Sequence, residues 1–171
     1  LATLGFAHQL GEAVLEYAKA TRAESVKVPL TADHRHDLPR MLKACDARTG
    51  LVYICNPNNP TGTIVTGDEL QAFLHRAPKD AVVLVDEAYH HFVEDPRYRS
   101  AFGLLPLHEN LVVVRTFSKI YGLAGMRMGY AVASKERTAA MRAQIIWSNA
   151  NIAVLEAIIA SAARGEVHKV N

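Results

Sequence analysis

The chain has 171 residues, half of them apolar, and a formal net charge of +2. That length suits one domain with a sizeable core, and no apolar run approaches the roughly 18 residues that a membrane span needs. Lys and Arg are interspersed with acids in no block longer than a pair, so neither a membrane nor a nucleic-acid partner is expected.

The periodicity alternates between helix and strand. Residues 9–22 place Leu10, Val14, Leu15 and Ala18 on one helical face, and residues 25–30, SVKVPL, alternate as a strand. Leu38 to Ala47 reads as a second helix, and LVYIC at 51–55 as a short apolar strand that stops at NPNNPTG. Thr66 or Asp68 can cap a helix running to about Arg76. AVVLVD (81–86) and NLVVVRT (110–116) are apolar on both faces, as strands of a buried parallel sheet are. MGYAVA (128–133) is a shorter strand. Ser134 then caps a final helical region that breaks near Ser148-Asn149 and resumes to about Arg164. Strands separated by such connections imply βαβ units, hence an α/β fold with a mostly parallel sheet.

In sheets of that kind, ligands bind beyond the carboxyl ends of the strands. Three strands here end in polar clusters: LVYIC in NPNNPTG, AVVLVD in EAYHHF, and NLVVV in RTFSK. Asp86, at the end of an apolar strand, needs a cationic or hydrogen-bonding partner. It reads as a helix N-cap or as the counter-ion of a protonated ligand nitrogen. Tyr89, three residues on, can reach the same ligand or simply pack. The two Asn-Pro steps are turn chemistry that also aims an Asn side chain, with Asn59 the stronger candidate donor and Asn56 the weaker.

In RTFSKIYGLAGMRMGY (115–130), one lysine follows a hydroxyl-rich stretch, and Arg127 stands eight residues past it. A lysine amine walled by apolar or positive groups is nucleophilic toward aldehydes. A guanidinium fork suits phosphate, and Ser118 and Thr116 can add hydroxyls to the same anion. Gly122, Gly125 and Gly129 let the backbone turn closely around them. Elsewhere the plain readings hold. His90 and His91 follow Tyr89 and can touch a substrate, though the plainer reading turns them to water, and Cys55 and Trp147 are core or interface residues. Cys45 and Cys55 form no CxxC pattern, which fits a reducing compartment. His34 and His36 carry no zinc-type ligand pattern, so no metal is expected.

NPNNPTG, DEAYHHF and TFSKIYGLAGMRMGY, in that order, resemble the fold-type I pyridoxal-phosphate aminotransferases (class I/II). The likeness is greatest to the histidinol-phosphate aminotransferase branch and covers about Glu12 to Ala133. The resemblance implies a three-layer αβα large domain, a cytoplasmic homodimer, and pyridoxal 5'-phosphate as cofactor. It implies that Lys119 forms the Schiff base and that Asp86 pairs with the pyridine nitrogen. Asn59 and Tyr89 would then bond the phenolic oxygen, and Ser118 and Arg127 would hold the phosphate, with Thr116 the further cofactor-binding candidate from its hydroxyl alone. The substrates it implies are an amino acid or amine and a 2-oxo acid. A decarboxylase or other lyase on the same scaffold, or an inactive fragment, is the alternative.

Three features depart from that family. An upstream phosphate loop is not in the sequence, nor is a downstream arginine for the substrate carboxylate. AHQLGEAV, with Phe6 and His8 nearby, supplies no aromatic where one ordinarily stacks on the cofactor ring. Residues 1–171 are therefore expected to be the central part of a large domain, in a fragment of a longer chain.

Overall fold

The computed structural model describes residues 10–144 and 152–164. Five helices are seen there: α1 (Leu10–Ala20), α2 (Leu38–Ala44), α3 (Gly67–Arg76), α4 (Lys135–Arg142) and α5 (Ile152–Arg164). With them is one sheet of β1 (Leu51–Cys55), β2 (Val82–Asp86), β3 (Leu111–Thr116) and β4 (Gly129–Ala133), in spatial order β1-β2-β3-β4. The first three strands are parallel, with Cys55 opposite Asp86 and Asp86 opposite Val114, while β4 runs antiparallel to β3. This register brings the carboxyl ends of three strands level, so whatever follows each strand emerges on the same side of the sheet.

Side chains alternate between the faces of a strand, and the strand sequences use both faces. Val52, Ile54, Val83, Val85, Leu111 and Val113 point into the main core, against Leu38 and Met41 of α2 and Leu70, Phe73 and Leu74 of α3. Tyr53 and Cys55 point the other way, with Val14 of α1 and Leu84 packed on them. Helices on both faces of the sheet make the three-layer α/β arrangement. Each fully buried aliphatic or aromatic side chain contributes about 1.5–3 kcal/mol by leaving water, so the chain's run of such residues is what holds the layers together.

The helix boundaries follow from local chemistry. The Asp37 carboxylate caps α2 by accepting the Arg40 N–H, and Pro39 sits in the first turn. Thr66 caps α3 in a full capping box with Glu69, and Ser134 caps α4 through the Arg137 N–H.

Two expectations need correction. Residues 25–30 form no strand: Val26 and Val28 lean on the core, but no described segment lies alongside to complete a ladder. Alternation reports which side chains are buried, not whether the backbone has a hydrogen-bonding neighbour. The second helix ends at Ala44 rather than Ala47, because Cys45 is extended and Asp46 turns to take the Arg48 N–H while its own N–H bonds Thr49. The expected break near Ser148-Asn149, Trp147, Phe6 and His8 lie outside the described residues.

Candidate active site

Beyond the ends of β1, β2 and β3 lies a cavity of about 490 Å³, within the range of small-molecule sites. Asn59, Asp86, Tyr89, Thr116, Ser118, Lys119 and Arg127 all line it, so the sequence candidates converge on one space. A larger neighbouring cavity, about 640 Å³, shares Asn59 and Tyr89. It contains no lysine, and its arginines are already engaged, Arg35 with Glu69 and Arg97 with Asp95. The smaller cavity therefore carries the chemistry.

Asp86 ends β2 and is only 6% exposed. Its Oδ1 accepts the Ala88 N–H at 3.0 Å and its Oδ2 accepts the Tyr53 hydroxyl at 2.8 Å. Burial pushes the carboxyl above its ordinary range, against the opposing pull of these two bonds and of the Lys119 charge. The segment after it is an irregular turn followed by a 3₁₀ turn at His90–Phe92, so Asp86 caps one N–H and no α-helix. That leaves its remaining lone pairs for a cationic partner from the cavity.

The turn also brings Tyr89 back over the site. Its hydroxyl accepts from Asn59 Nδ2 at 3.2 Å, and Lys119 Nζ stands 5.1 Å from its ring centre. Asn56 has a different task. Its side chain is 1% exposed and bonds both the N–H and the carbonyl of Val65 at 2.9 Å, closing the loop that presents Asn59. Both Asn–Pro bonds in that loop, 56–57 and 59–60, are cis.

Thr116 ends β3, and its Oγ1 accepts the Ser118 N–H at 3.0 Å, folding the chain so that Ser118 and Lys119 face the cavity. Gly122, at φ +66°, lets its N–H return to the Lys119 carbonyl at 2.9 Å. Gly129 serves close approach instead, since a Cβ there would lie 2.7 Å from the Arg115 carbonyl oxygen. Gly125 carries no such demand, because nothing would meet its Cβ. Arg127 is held left-handed at φ 53° with its Nη1 donating to the Ala124 carbonyl at 2.9 Å. A non-glycine residue in that conformation stores about 1 kcal/mol or more of strain, and such residues cluster at functional sites.

Three residues outside the sequence candidates complete the surroundings. Tyr53 is buried entirely and reaches Asp86 from β1. Its signal in the sequence is a single phenol in an otherwise apolar strand, since a buried tyrosine hydroxyl needs a partner. Glu87 and Arg115 form an ion pair at 2.7 Å between the ends of β2 and β3, with side chains 1% and 11% exposed. His90 and His91 do not line the cavity; His90 Nδ1 lies 3.1 Å from the Tyr98 hydroxyl. Cys55 lines the cavity floor, and burial pushes its thiol up to about 12, so it stays protonated and unreactive.

As a donor set, the cavity offers a carboxylate, a paired phenol and amide, a primary amine, two hydroxyls and a guanidinium. A molecule with a basic ring nitrogen, a phenolate, an aldehyde and a phosphate matches that set group for group.

The fold and this arrangement define a class, and the chain belongs to it: residues 12–169 match the family model for aminotransferase class I and II. A histidinol-phosphate aminotransferase of Brevibacillus brevis is 51% identical over 114 residues, 67% of this chain and 31% of the relative. An aromatic amino acid aminotransferase of Rhodococcus jostii is 46% identical over 163 residues, 95% of this chain and 45% of the relative. The crystal structure of histidinol-phosphate aminotransferase from Sinorhizobium meliloti in complex with pyridoxal-5'-phosphate superposes with a TM-score of 0.82 at 29% identity, covering 98% of this chain and 45% of that one. The chain thus spans less than half the length of these relatives. Among the described residues, no helix is long and apolar enough to cross a membrane.

Proposed function

We propose that the intact protein is a pyridoxal-phosphate-dependent aminotransferase that moves an amino group between an amino acid or amine and a 2-oxo acid. Residues 1–171 are then the central part of its cofactor-binding large domain. The observation that carries this reading is the convergence of Asn59, Asp86, Tyr89, Thr116, Ser118, Lys119 and Arg127, from three strand ends, on one cavity. By likeness to the named relatives, the amino donor belongs to the histidinol-phosphate or aromatic amino acid class.

When bound, pyridoxal phosphate supplies an electron sink for breaking a bond at the substrate Cα. The chain's residues do the rest. Asp86, buried at the end of β2 with its carboxylate held by Tyr53 and Ala88, would accept the N–H of the ring nitrogen and favour its positive form. Asn59 Nδ2 and the Tyr89 hydroxyl, already bonded to each other, orient toward the phenolic oxygen. Ser118, Thr116 and Arg127 hold the phosphate, the guanidinium as a two-pronged donor. Lys119 Nζ, on the wall of the same cavity, would hold the cofactor through its aldehyde group, and as a free amine it would be the base placed to take a proton from the substrate Cα and return it.

The protein acts as a cytoplasmic homodimer in this reading. Ile152, Leu155 and Ile159 of α5 are exposed large apolar residues that a second subunit or the rest of the chain would cover.

The test is borohydride reduction of the full-length protein with pyridoxal phosphate, followed by peptide mapping. The adduct is expected on Lys119 and is lost in Lys119→Ala; an adduct on another lysine overturns the assignment. Incubation with amino acids and 2-oxoglutarate should yield glutamate. Release of carbon dioxide instead would make the enzyme a decarboxylase.

A further inference from the structure

We propose that Tyr53 is a positioning residue for this chemistry: its hydroxyl fixes the rotamer and ionisation of Asp86, so that the carboxylate presents an acceptor edge to a protonated ring nitrogen. The proposal deepens the pyridoxal-phosphate reading and rests on it.

The geometry begins in the β1–β2 register. Tyr53 lies opposite Leu84 and Cys55 opposite Asp86, so Tyr53 and Asp86 share a face but stand two positions apart along the ladder. At about 3.3 Å per residue that offset is roughly 7 Å, a distance only a long side chain spans. The phenol does so, running forward along the sheet to donate to Oδ2 at 2.8 Å. Its ring is fully buried, packed with Cys55, Leu84 and Val14, which removes other rotamers. The Cys55 side chain lies close enough to this hydroxyl to interact with it too, but Asp86 Oδ2 is the oxygen that accepts it. Burial first, and the Asp86 charge second, push the phenol far above its ordinary range, so it remains a donor whenever the protein is folded.

The consequence for Asp86 is twofold. Tyr53 on Oδ2 and Ala88 N–H on Oδ1 hold the carboxylate plane from two sides. They also stabilise the charged form against burial and against the neighbouring Glu87 carboxylate, while Lys119 acts in the same direction as Tyr53. Without the Tyr53 hydroxyl, burial and Glu87 face fewer opponents, and Asp86 holds a proton more readily. A protonated Asp86 no longer stabilises a positive ring nitrogen.

Tyr53→Phe removes the hydroxyl and keeps the ring. In the cofactor-free full-length protein, a ¹³C NMR titration of the Asp86 carboxyl should move up by about 1–2 pH units in Tyr53→Phe, from loss of one hydrogen bond to a charged group. In binding experiments, Tyr53→Phe should weaken pyridoxal phosphate about 10-fold or more. It should leave unchanged the affinity for the carbocyclic analogue with C–H in place of the ring nitrogen. An unmoved Asp86 titration overturns the proposal. So does an equal loss for both ligands, which marks a packing effect. If the unmodified protein binds neither ligand, the pyridoxal-phosphate reading fails and takes the proposal with it. Normal binding with unaltered discrimination sinks the role of Tyr53 alone.

Discussion

Removing the arginine from the buried Glu87–Arg115 pair should unfold the protein far more readily than removing both charges. Glu87 follows Asp86 directly, and Arg115 precedes Thr116, so the pair ties together the strand ends that carry the site. The Glu87 carboxylate accepts Arg115 Nε at 3.0 Å and Nη2 at 2.7 Å, Ser100 Oγ at 2.9 Å and the Ala101 N–H at 2.6 Å. The guanidinium also donates to Ser100 Oγ at 2.9 Å and stands 3.9 Å over the Phe102 ring. In Arg115→Met the stem still covers Phe102, but Glu87, 1% exposed, keeps only neutral donors such as Ser100 and the Ala101 N–H. Two hydrogen bonds to a charge at about 1.5–3 kcal/mol each agree with the roughly 3–5 kcal/mol that breaking a buried pair from one side costs. The double variant Glu87→Gln/Arg115→Met leaves no stranded charge: the amide oxygen can still accept the Ala101 N–H, and the Ser100 hydroxyl can turn to accept from the amide N–H. It should fall within about 1–2 kcal/mol of the unmodified protein. Urea unfolding of the full-length proteins, compared as a double-mutant cycle, reads this directly. A cost below about 1 kcal/mol for Arg115→Met, or simple additivity in the double variant, would refute the reasoning.

Arg127→Ala should weaken pyridoxal phosphate by about 1.5–3 kcal/mol, the worth of a hydrogen bond to a charged group; unchanged affinity by titration would move the phosphate site elsewhere. His36 is buried with Nε2 at 3.3 Å from the Cys55 N–H, and burial lowers it to about 4. Because the unfolded chain binds that proton more readily, stability should be full above about pH 6.5 and fall by up to ~3 kcal/mol as pH drops toward 4. Urea midpoints across that range check it, and a His36→Phe variant with the same pH slope would assign the loss to another group. Gly129→Ala should push β4 off β3, since its Cβ meets the Arg115 carbonyl oxygen at 2.7 Å. A loss of about 1–3 kcal/mol is expected from the overpacking, and a thermal shift near zero would contradict it.

β1, β2 and β3 were legible in the sequence because β-branched apolar runs belong to buried strands, and all four strands of the sheet end at the residue where the expected runs stop. The cap at Ser134, and one at Thr66 or Asp68, were legible because caps depend only on residues three positions away; the structure selects Thr66. Seven of the cavity-lining residues could be named from the sequence because each lies at or after a strand end, and parallel strands bring their ends level.

What the sequence could not supply is whatever depends on a neighbour distant in the chain. Residues 25–30 alternate like a strand, yet they are not part of the sheet, and alternation alone contains no information about a ladder partner. Asn56 and Asn59 sit in the same turn-rich motif, but only the tertiary closure onto Val65 shows that Asn56 ties the loop while Asn59 turns to Tyr89. Tyr53 and Asp86 are 33 positions apart, and Glu87 and Arg115 are 28 apart. Their pairing depends on strand register, which is set by the packing of the whole sheet. Local preference is written residue by residue, whereas the partner of a buried polar group is decided only when distant strands are laid side by side and water is gone.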